Sequence, residues 1–414
     1  MASVTLLPRR EEIRSPEIIR QVNVLRRPDN VTNWFYLARE YLFVASVIGL
    51  TIAFYHYRAT WGIPAAWNIL VTLAAIVLIG AGQHRLTTLG HEASHYMLFR
   101  HRLLNELTSD LLCMFPVWST THHYRIQHLA HHQFPNDPER DPDVTQMEAS
   151  GHRFRFPMSP REFVWRCVVK QALWLPSLVR YIRMRARYAA TGGGSGPYES
   201  KGPRTKLLVL VGLLYIATVA GVLTWLVHVE NTTLLIWLPP ALLAAIGTFY
   251  VLVPERLYRH TALKPDVPPR WQTLLRMTYL TALFTGLAWL SVWTGEPWGL
   301  YYVLLWIVPL ATAFAFFMLM RQVVQHGNAG RDRFGNTRIF EVGRLIRFAV
   351  FPLGMDYHLP HHLFPMVPHY RLPALHALLM ETDEYREHAC MVEGYFWHRR
   401  PPAHATVLEL MAKD

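Results

Sequence analysis

Six long runs of apolar residues alternate along the chain with polar and basic segments. Each run is long enough for a helix that crosses a bilayer, which takes about 20 residues. The runs cover approximately residues 36–56, 64–83, 206–228, 232–254, 276–295 and 299–320. Because short turns join the runs in pairs, the pattern predicts three helical hairpins that enter the membrane and return.

Two further apolar segments are too polar to cross a membrane. Residues 103–118 are interrupted by an asparagine, a serine and acidic residues, and residues 163–187 mix tryptophan and leucine with arginine. Such a mixture is typical of a helix that lies in the membrane interface. The sequence therefore predicts an all-α integral membrane protein with interfacial helices beside its spans.

Composition also favours a membrane protein. Apolar residues make up 51% of the 414 residues and charged residues only 17%, whereas a soluble domain carries about 25% charged residues. The first 33 residues are polar and arginine-rich and lack the apolar core of a cleavable signal peptide. Cys113, Cys167 and Cys390 lie far apart, which predicts neither a disulfide framework nor a zinc ribbon.

The basic residues give a net charge of +12 and lie beside the apolar runs rather than in a recognition helix, so nucleic-acid binding is not expected. They are concentrated before the first run, in residues 84–205, which include Arg125 and Arg185, and in residues 255–275; Arg58 is the main exception. The positive-inside rule then predicts that the N- and C-termini are cytoplasmic. The expected organisation is a cytoplasmic N-terminal segment at 1–34, a membrane domain at 35–380 and a cytoplasmic tail at 381–414.

Histidine is frequent, with 22 copies, and three short clusters stand out. Their members are His91 and His95; His128, His131 and His132; and His358, His361 and His362. Because helical residues three or four positions apart point the same way, each cluster can direct two or three imidazoles at one point. Pro360 is unfavourable in a helix interior, so the third cluster is expected near a helix start.

The number and placement of these histidines predict a metal site. All three clusters fall on the predicted cytoplasmic side of the membrane, and two HxxHH patterns in one chain are not expected by chance. Zinc takes about four ligands, so eight imidazoles predict two ions in a histidine-rich cytoplasmic cap. Imidazole suits iron, copper, nickel and zinc, which leaves the metal open, while the lack of cysteine ligands disfavours an iron–sulfur cluster.

The clusters resemble the histidine boxes of the membrane fatty acid desaturase/hydroxylase superfamily. Tyr124-Arg125 precede the second cluster, Asp141-Pro142-Asp143 follow it, and residues 357–365 are similar to the family's third box. The resemblance implies two non-haem iron ions and dioxygen as co-substrate. It further implies that the enzyme introduces a double bond into a fatty-acyl lipid or acyl thioester that enters from the bilayer.

The same resemblance extends the ligand set. It adds His326, at the end of the last apolar run, and it places Gln322 where acyl-CoA desaturases have an asparagine that reaches one metal through water. It assigns His91, His95, His132 and His362 to one ion, and His128, His131, His326, His358 and His361 to the other. Three carboxylates are candidates to orient the ligands, with loop capping as the alternative role, namely Asp141, Asp143 and Asp356.

Other histidines are not expected to bind metal. They are His84, His122, His123, His260 and His369, of which the last two are expected at the interface or surface. Residues 381–414 are too few for a fused electron carrier, so a separate donor of the ferredoxin or cytochrome b5 type is expected to dock on the basic cytoplasmic face.

Alternative functions remain open. A hydroxylase or decarboxylase of a lipid or alkyl chain would use the same scaffold and site. Residues 91–95 also match HExxH, the motif of zinc metalloproteases, with Glu92 as general base, although an intramembrane protease gives no purpose to the second and third clusters. A non-catalytic receptor or metal-storage protein would have a closed site without an open coordination position.

Overall fold

The computed structural model describes residues 12–191, 196–199, 206–398 and 403–413, so the start of the predicted N-terminal segment lies outside the described residues. The helices of the first half are α1 (Pro16–Leu25), α2 (Thr32–Tyr57), α3 (Trp67–Ser94), α4 (Arg102–Ser109), α5 (Thr121–Gln133), α6 (Pro142–Ser150), α7 (Pro160–Phe163), α8 (Lys170–Leu173) and α9 (Leu175–Thr191). Short π-helical turns at Asp110–Met114 and Val164–Val169 continue α4 and join α7 to α8.

The second half of the chain is also mainly helical. Its helices are α10 (Leu207–His228), α11 (Thr232–Leu252), α12 (Pro269–Thr294), α13 (Trp298–Tyr302), α14 (Ala315–His326), α15 (Arg344–Ala349), α16 (His358–Leu363), α17 (Leu372–Leu379), α18 (Asp383–His388) and α19 (Val407–Met411). Two short strands, β1 (Ile339–Glu341) and β2 (Met391–Glu393), pair in parallel. Helices α13 and α14 form one 29-residue helix, Trp298–His326, through two π-helical turns.

Within the described residues, five helices are long and apolar enough to cross a membrane, which confirms the prediction of an all-α membrane protein. They are α2, α3, α10, α11 and Trp298–His326. The fifth predicted span, residues 276–295, lies in α12, which packs against α10 and α11 but is not among the five. Its first turns are polar and contact the protein interior: Gln272 donates to the Asp110 carboxylate at 2.9 Å and Arg276 to the Trp118 carbonyl at 2.8 Å.

Large apolar side chains cover the outer faces of these helices. Phe35 and Leu50 on α2 and Trp237 on α11 are each about 70% exposed. A monomeric soluble protein rarely exposes apolar patches on this scale, whereas lipid covers them in a membrane. On α3 the exposed apolar residues lie in its first half, and residues 79–94 are almost all buried. Helix α3 therefore runs from the lipid into the interior of the protein.

The middle of α3 packs closely against the middle of the last membrane helix. A Cβ atom on Gly80 would lie 2.5 Å from the Cβ of Ala313 and 2.6 Å from the backbone nitrogen of Phe314. Only glycine allows this contact, because any side chain would collide with backbone as well as with a methyl group. The close packing brings the C-terminal ends of the two helices together.

The terminal segments pack over this same end of the molecule. Ile18 and Val22 of α1 lie in one apolar core with Leu375 of α17. Val407 and Met411 of α19 are buried in another core that includes much of α14. Residues 383–411 therefore contribute α18, β2 and α19 to the structure that surrounds the helix ends.

Candidate metal centre

The first histidine cluster lies where α3 ends. His91 is in the last helical turn and His95 is the C-cap residue, and both are buried. Glu92 is also buried, and both of its oxygens are engaged: Oε1 lies 3.2 Å from Nδ1 of His91, and Oε2 accepts the backbone N–H of His369 at 2.8 Å. Glu92 thus joins the first cluster to the segment after the third.

The second cluster lies on α5, and Arg125 joins this helix to the end of α3. The Arg125 side chain is 2% exposed. Its guanidinium donates to the Ala93 and Ser94 carbonyls, both at 3.0 Å, and to the Glu106 carboxylate at 2.6 Å. The last carbonyls of a helix have no partner within the helix, so Arg125 supplies hydrogen bonds that α3 itself cannot provide. The contact sets the position of the second cluster relative to His95.

The third cluster lies on α16, which begins at His358. The prediction that this cluster lies near a helix start is therefore confirmed. Pro360 is tolerated because the N–H groups of the first turn have no partner within the helix. His326, the last residue of α14, completes the set, since its Nδ1 lies 3.0 Å from the Asn336 carbonyl and its Nε2 faces the other histidines.

The nine histidines form two groups, each with nitrogens within 4.8 Å of one another. The first contains His91, His95, His128, His132 and His361, and the second contains His131, His326, His358 and His362. In the first group, Nε2–Nε2 distances are 2.9 Å for His95 and His128, 3.0 Å for His128 and His132, and 3.1 Å for His132 and His361. In the second group they are 3.0–3.2 Å.

These distances fit nitrogens that share an ion. Two nitrogens about 2.0–2.1 Å from one ion are about 2.9 Å apart at a right angle and about 3.4 Å apart at the tetrahedral angle. Nε2 of His91 is buried without a hydrogen-bond partner. Burial also lowers the pKa of His128 and of His361 well below 6.5, which favours neutral imidazole, the form that binds metal. The donor set therefore fits two imidazole-bound metal ions.

The two groups differ from the division that the resemblance implied. His128 and His361 lie in the first group, and His362 lies in the second. The reason is helical phase: residues four apart are offset by about 40° around a helix, whereas residues three apart are offset by about 60° in the other direction. Each HxxHH cluster therefore gives its i and i+4 histidines to one group and its i+3 histidine to the other. The spacing of the histidines within each HxxHH cluster therefore already contained the division that the structure shows.

The three carboxylates have different surroundings. Asp141 lies against the second group, with its oxygens 3.0 and 3.1 Å from Nδ1 of His131. Burial opposes protonation of His131, but the charge and hydrogen bond of Asp141 outweigh it and raise the pKa of the imidazole to about 9. Asp143 is half-buried beside the site, and Asp356 instead pairs with Arg347 at 2.9 Å.

Replacing Asp141 with asparagine is expected to lower metal affinity about 10- to 100-fold, because loss of a carboxylate that orients a ligand histidine typically costs this much. The amide cannot stabilise the ring as a carboxylate does. Metal retained after dialysis against graded chelator measures the change. Glu139→Gln, at an exposed position of the same loop, is the matched control, and equal retention in both variants would exclude an orienting role for Asp141.

Gln322 is buried beside the second group. Its Oε1 accepts a hydrogen bond from the Tyr181 hydroxyl at 2.8 Å and from Arg185 at 3.4 Å. Its Nε2 is buried without a partner. Because the arginine can only donate, it assigns the amide oxygen to that side of Gln322 and leaves the N–H groups free.

The histidines not expected to bind metal lie outside both groups. Nδ1 of His84 is 2.8 Å from the Ala349 carbonyl, and Nε2 of His122 is 2.8 Å from the Thr261 hydroxyl. The expectation of a surface position was wrong for His369, which is 2% exposed and lies 2.9 Å from Asn33. Its place in the polar contacts around Glu92 depends on tertiary packing and leaves no local signal in the sequence.

Three cavities adjoin the metal centre. A small one of 30 Å³, about the volume that a water molecule occupies in the liquid, is lined by residues of both groups, including His91, His128, His131, His326 and His358. A largely apolar one of 410 Å³ lies among α3, α5, α9 and the last membrane helix. A polar surface groove of 850 Å³ reaches His326 and Gln322 from the other side.

Comparison with known proteins gives two matches. A family model described as "Fatty acid desaturase" matches residues 66–268 and 234–394. A dihydrorhizobitoxine desaturase from Bradyrhizobium elkanii is 34% identical over 138 residues, which are 33% of this chain and 35% of that protein. The alignment thus spans about a third of the length of the relative. All three histidine clusters and His326 lie within the residues that the family model matches.

Proposed function

The chain belongs to the fatty acid desaturase family, and we propose that it is a membrane oxidoreductase that introduces a carbon–carbon double bond at a di-iron site. The observation that carries the proposal is the arrangement of nine buried or half-buried histidines in two groups with convergent Nε2 atoms. The first group supplies five nitrogens to one iron and the second supplies four to the other. In this reaction two neighbouring carbons each lose one hydrogen and become joined by a double bond. Dioxygen takes up these two hydrogens together with two electrons and two protons, the electrons coming from a donor, and is reduced to two waters.

The chemistry of such a reaction exceeds what side chains can supply. A pair of iron ions supplies the oxidising power that removal of hydrogen from an unactivated carbon requires. The protein holds the substrate: Tyr124 stacks on His128 at 5.3 Å between ring centroids and also lines the apolar cavity. An apolar chain in this cavity has its reacting carbons beside the first group.

Two substrate classes are supported by different observations. Family membership favours a fatty-acyl chain on a lipid or thioester, which enters through the apolar cavity. The relative is instead named for dihydrorhizobitoxine, which supports a substrate other than a fatty acid.

A hydroxylase or decarboxylase would use the same site. The protease alternative is disfavoured because both oxygens of Glu92 are engaged in contacts within the protein.

The function is tested by metal analysis together with product analysis in an expressing host. Wild type is expected to contain two irons per chain and to give an unsaturated product that mass spectrometry detects in host lipids or in the soluble fraction. His361→Ala is expected to abolish that product, because its nitrogen belongs to the first group. One zinc and no iron per chain, or identical product profiles for the two proteins, would reject the proposal.

We further propose that both termini are cytoplasmic, as the distribution of arginines indicates. A second proposal is that an acidic redox protein docks at the polar groove. Arg153 and Arg155 line this groove and are exposed, as is Glu148, which pairs with Arg153 at 3.2 Å and leaves Arg155 as the net positive charge; His326 of the second group also lines the groove. A positive rim steers an acidic partner toward the site. Fusion of the C-terminus to a reporter that is active only in the cytoplasm tests the orientation.

Arg155→Glu is expected to lower the second-order rate of reduction by a ferredoxin or cytochrome b5 about tenfold at low salt, with a smaller effect as salt screens the charges. Stopped-flow spectroscopy measures this rate. Reduction by dithionite is expected to be unchanged. Arg161→Glu reverses an exposed charge on α7, away from the groove residues, and serves as control; an equal loss in both variants would argue against docking at the groove.

A further inference from the structure

Two arginines lie where the apolar cavity meets the small cavity of the metal centre. The two cavities share four lining residues, Tyr124, Arg185, Met318 and Arg321. Arg321 is on the last membrane helix, five residues before His326, and Arg185 is on α9. Two positive charges therefore stand between the space for substrate and the histidines.

Neither arginine forms an ion pair within 4.0 Å among the described residues. Arg185 interacts with Tyr181 and contacts Gln322 at 3.4 Å, and Nη1 of Arg321 is buried without a partner. Asp143 lines the small cavity and its negative charge acts on both guanidinium groups from more than 4.0 Å. By contrast, the buried Arg125 and Arg85 have carboxylate partners, Glu106 and Glu40.

Unpaired cations in an apolar surrounding are costly. Both arginines are half-buried. A charge withdrawn from water gains from a partner, and arginine presents a planar set of donors that matches a carboxylate. The remainder of the larger cavity is mainly apolar, with Ile307, Leu310 and Phe314 from the last membrane helix. Its volume of 410 Å³ is at the lower end of the range of about 300–1,000 Å³ for small-molecule sites. The cavity thus suits a compact ligand with one anionic end.

We infer that the substrate carries a carboxylate a few bonds from the reacting carbons, which Arg185 and Arg321 bind, while its short apolar part occupies the larger cavity. The inference rests on the proposed function and narrows its substrate class. The carboxylate comes from a simple alkanoic acid or from an amino acid. In the second case Asp143, which lines the same small cavity, is in place to bind the ammonium group.

Binding of octanoate to protein in phosphatidylcholine nanodiscs tests the inference without turnover. We expect octanoate to bind wild type at least about tenfold more tightly than its neutral methyl ester, since only the acid offers a carboxylate for charge-assisted hydrogen bonds with arginine. Arg321→Gln and Arg185→Gln are each expected to weaken octanoate binding by about tenfold or more and to leave the ester unaffected. Arg183→Gln, at an exposed position of α9, is the matched control.

The comparison of octanoate with its ester needs no variant, so misfolding of a variant cannot leave the inference untested. Equal binding of acid and ester by wild type would overturn it, as would equal octanoate binding by folded Arg321→Gln and Arg183→Gln. Tighter binding of 2-aminooctanoate, lost in Asp143→Asn, would identify the amino-acid form, and no gain would identify the simple acid. Iron content of the same samples separates the two hypotheses, because protein without iron contradicts the proposed function whatever it binds.

Discussion

The double variant His128→Ala/His132→Ala is expected to retain one iron per chain and to lose turnover. Both imidazoles belong to the first group, where they account for two of five nitrogens, and the second group keeps all four of its own. His358→Ala/His362→Ala is expected to give the reciprocal result, with one iron held by the first group. Removal of two nitrogens from either group leaves too few ligands for a tightly held ion.

This pair of variants separates the two ways of dividing the ligands. If His128 and His132 bound different ions, as the sequence resemblance implied, their joint loss would weaken both sites and leave neither fully occupied. Elemental mass spectrometry at matched protein concentration gives the number of irons per chain. The Mössbauer spectrum then distinguishes one fully retained ion from two half-occupied sites. His404→Ala, at an exposed position, is expected to retain both irons, and loss of iron there would invalidate the comparison.

Replacement of Arg125 with leucine is expected to destabilise the protein by about 3–5 kcal/mol, because each buried acceptor that loses its donor costs about 1–3 kcal/mol. The change removes the Arg125 donor from the Glu106 carboxylate and the Ser94 carbonyl, whereas the Ala93 carbonyl still accepts from the Asn105 amide at 3.0 Å. Thermal unfolding in detergent, followed by tryptophan fluorescence, should show a midpoint lower by roughly 5–10 °C, on the scale expected for domains of a few hundred residues. Iron retention is expected to fall as well, because Arg125 sets the distance between His95 and α5.

The neighbouring variant Glu106→Gln is expected to be far milder. Burial raises the pKa of Glu106 to about 7 although Arg125 is adjacent, so the protein already tolerates the uncharged carboxyl near neutral pH. The amide oxygen can still accept the hydrogen bond, and the carbonyls of α3 keep their donor. If Glu106→Gln unfolded as readily as Arg125→Leu, the ion pair itself would be the stabilising element, and the contact with the end of α3 would be secondary.

Arginine residues show most clearly where sequence patterns were insufficient. Arg125 and Arg185 contribute to the positive charge that orients the chain, and a count of charges treats them as residues facing the lipid head groups. In the structure Arg125 is buried against the end of α3 and Arg185 lines the cavity beside the metal centre. An arginine that faces the lipid head groups and an arginine that is enclosed by the protein have similar local sequence, because in both cases a basic residue stands beside an apolar helix.

The fifth predicted span illustrates the same limit. Apolar content along residues 276–295 predicts a helix, and α12 is that helix. Whether lipid or protein surrounds it depends on its neighbours, and here α10 and α11 pack against it while Gln272 contacts Asp110. Hydropathy records how apolar a segment is, but it does not record which partner covers the apolar face.

The sequence by itself determined the membrane helices and the three histidine clusters, because hydrophobic run length and the spacing of residues along a helix are local properties. It also contained the helical phase that divides each HxxHH cluster between two groups. Only the tertiary structure decided that the ends of α3 and the last membrane helix meet, and that two arginines without an ion pair among the described residues line the route to the site. These features depend on contacts between residues more than 100 positions apart, which no local pattern encodes.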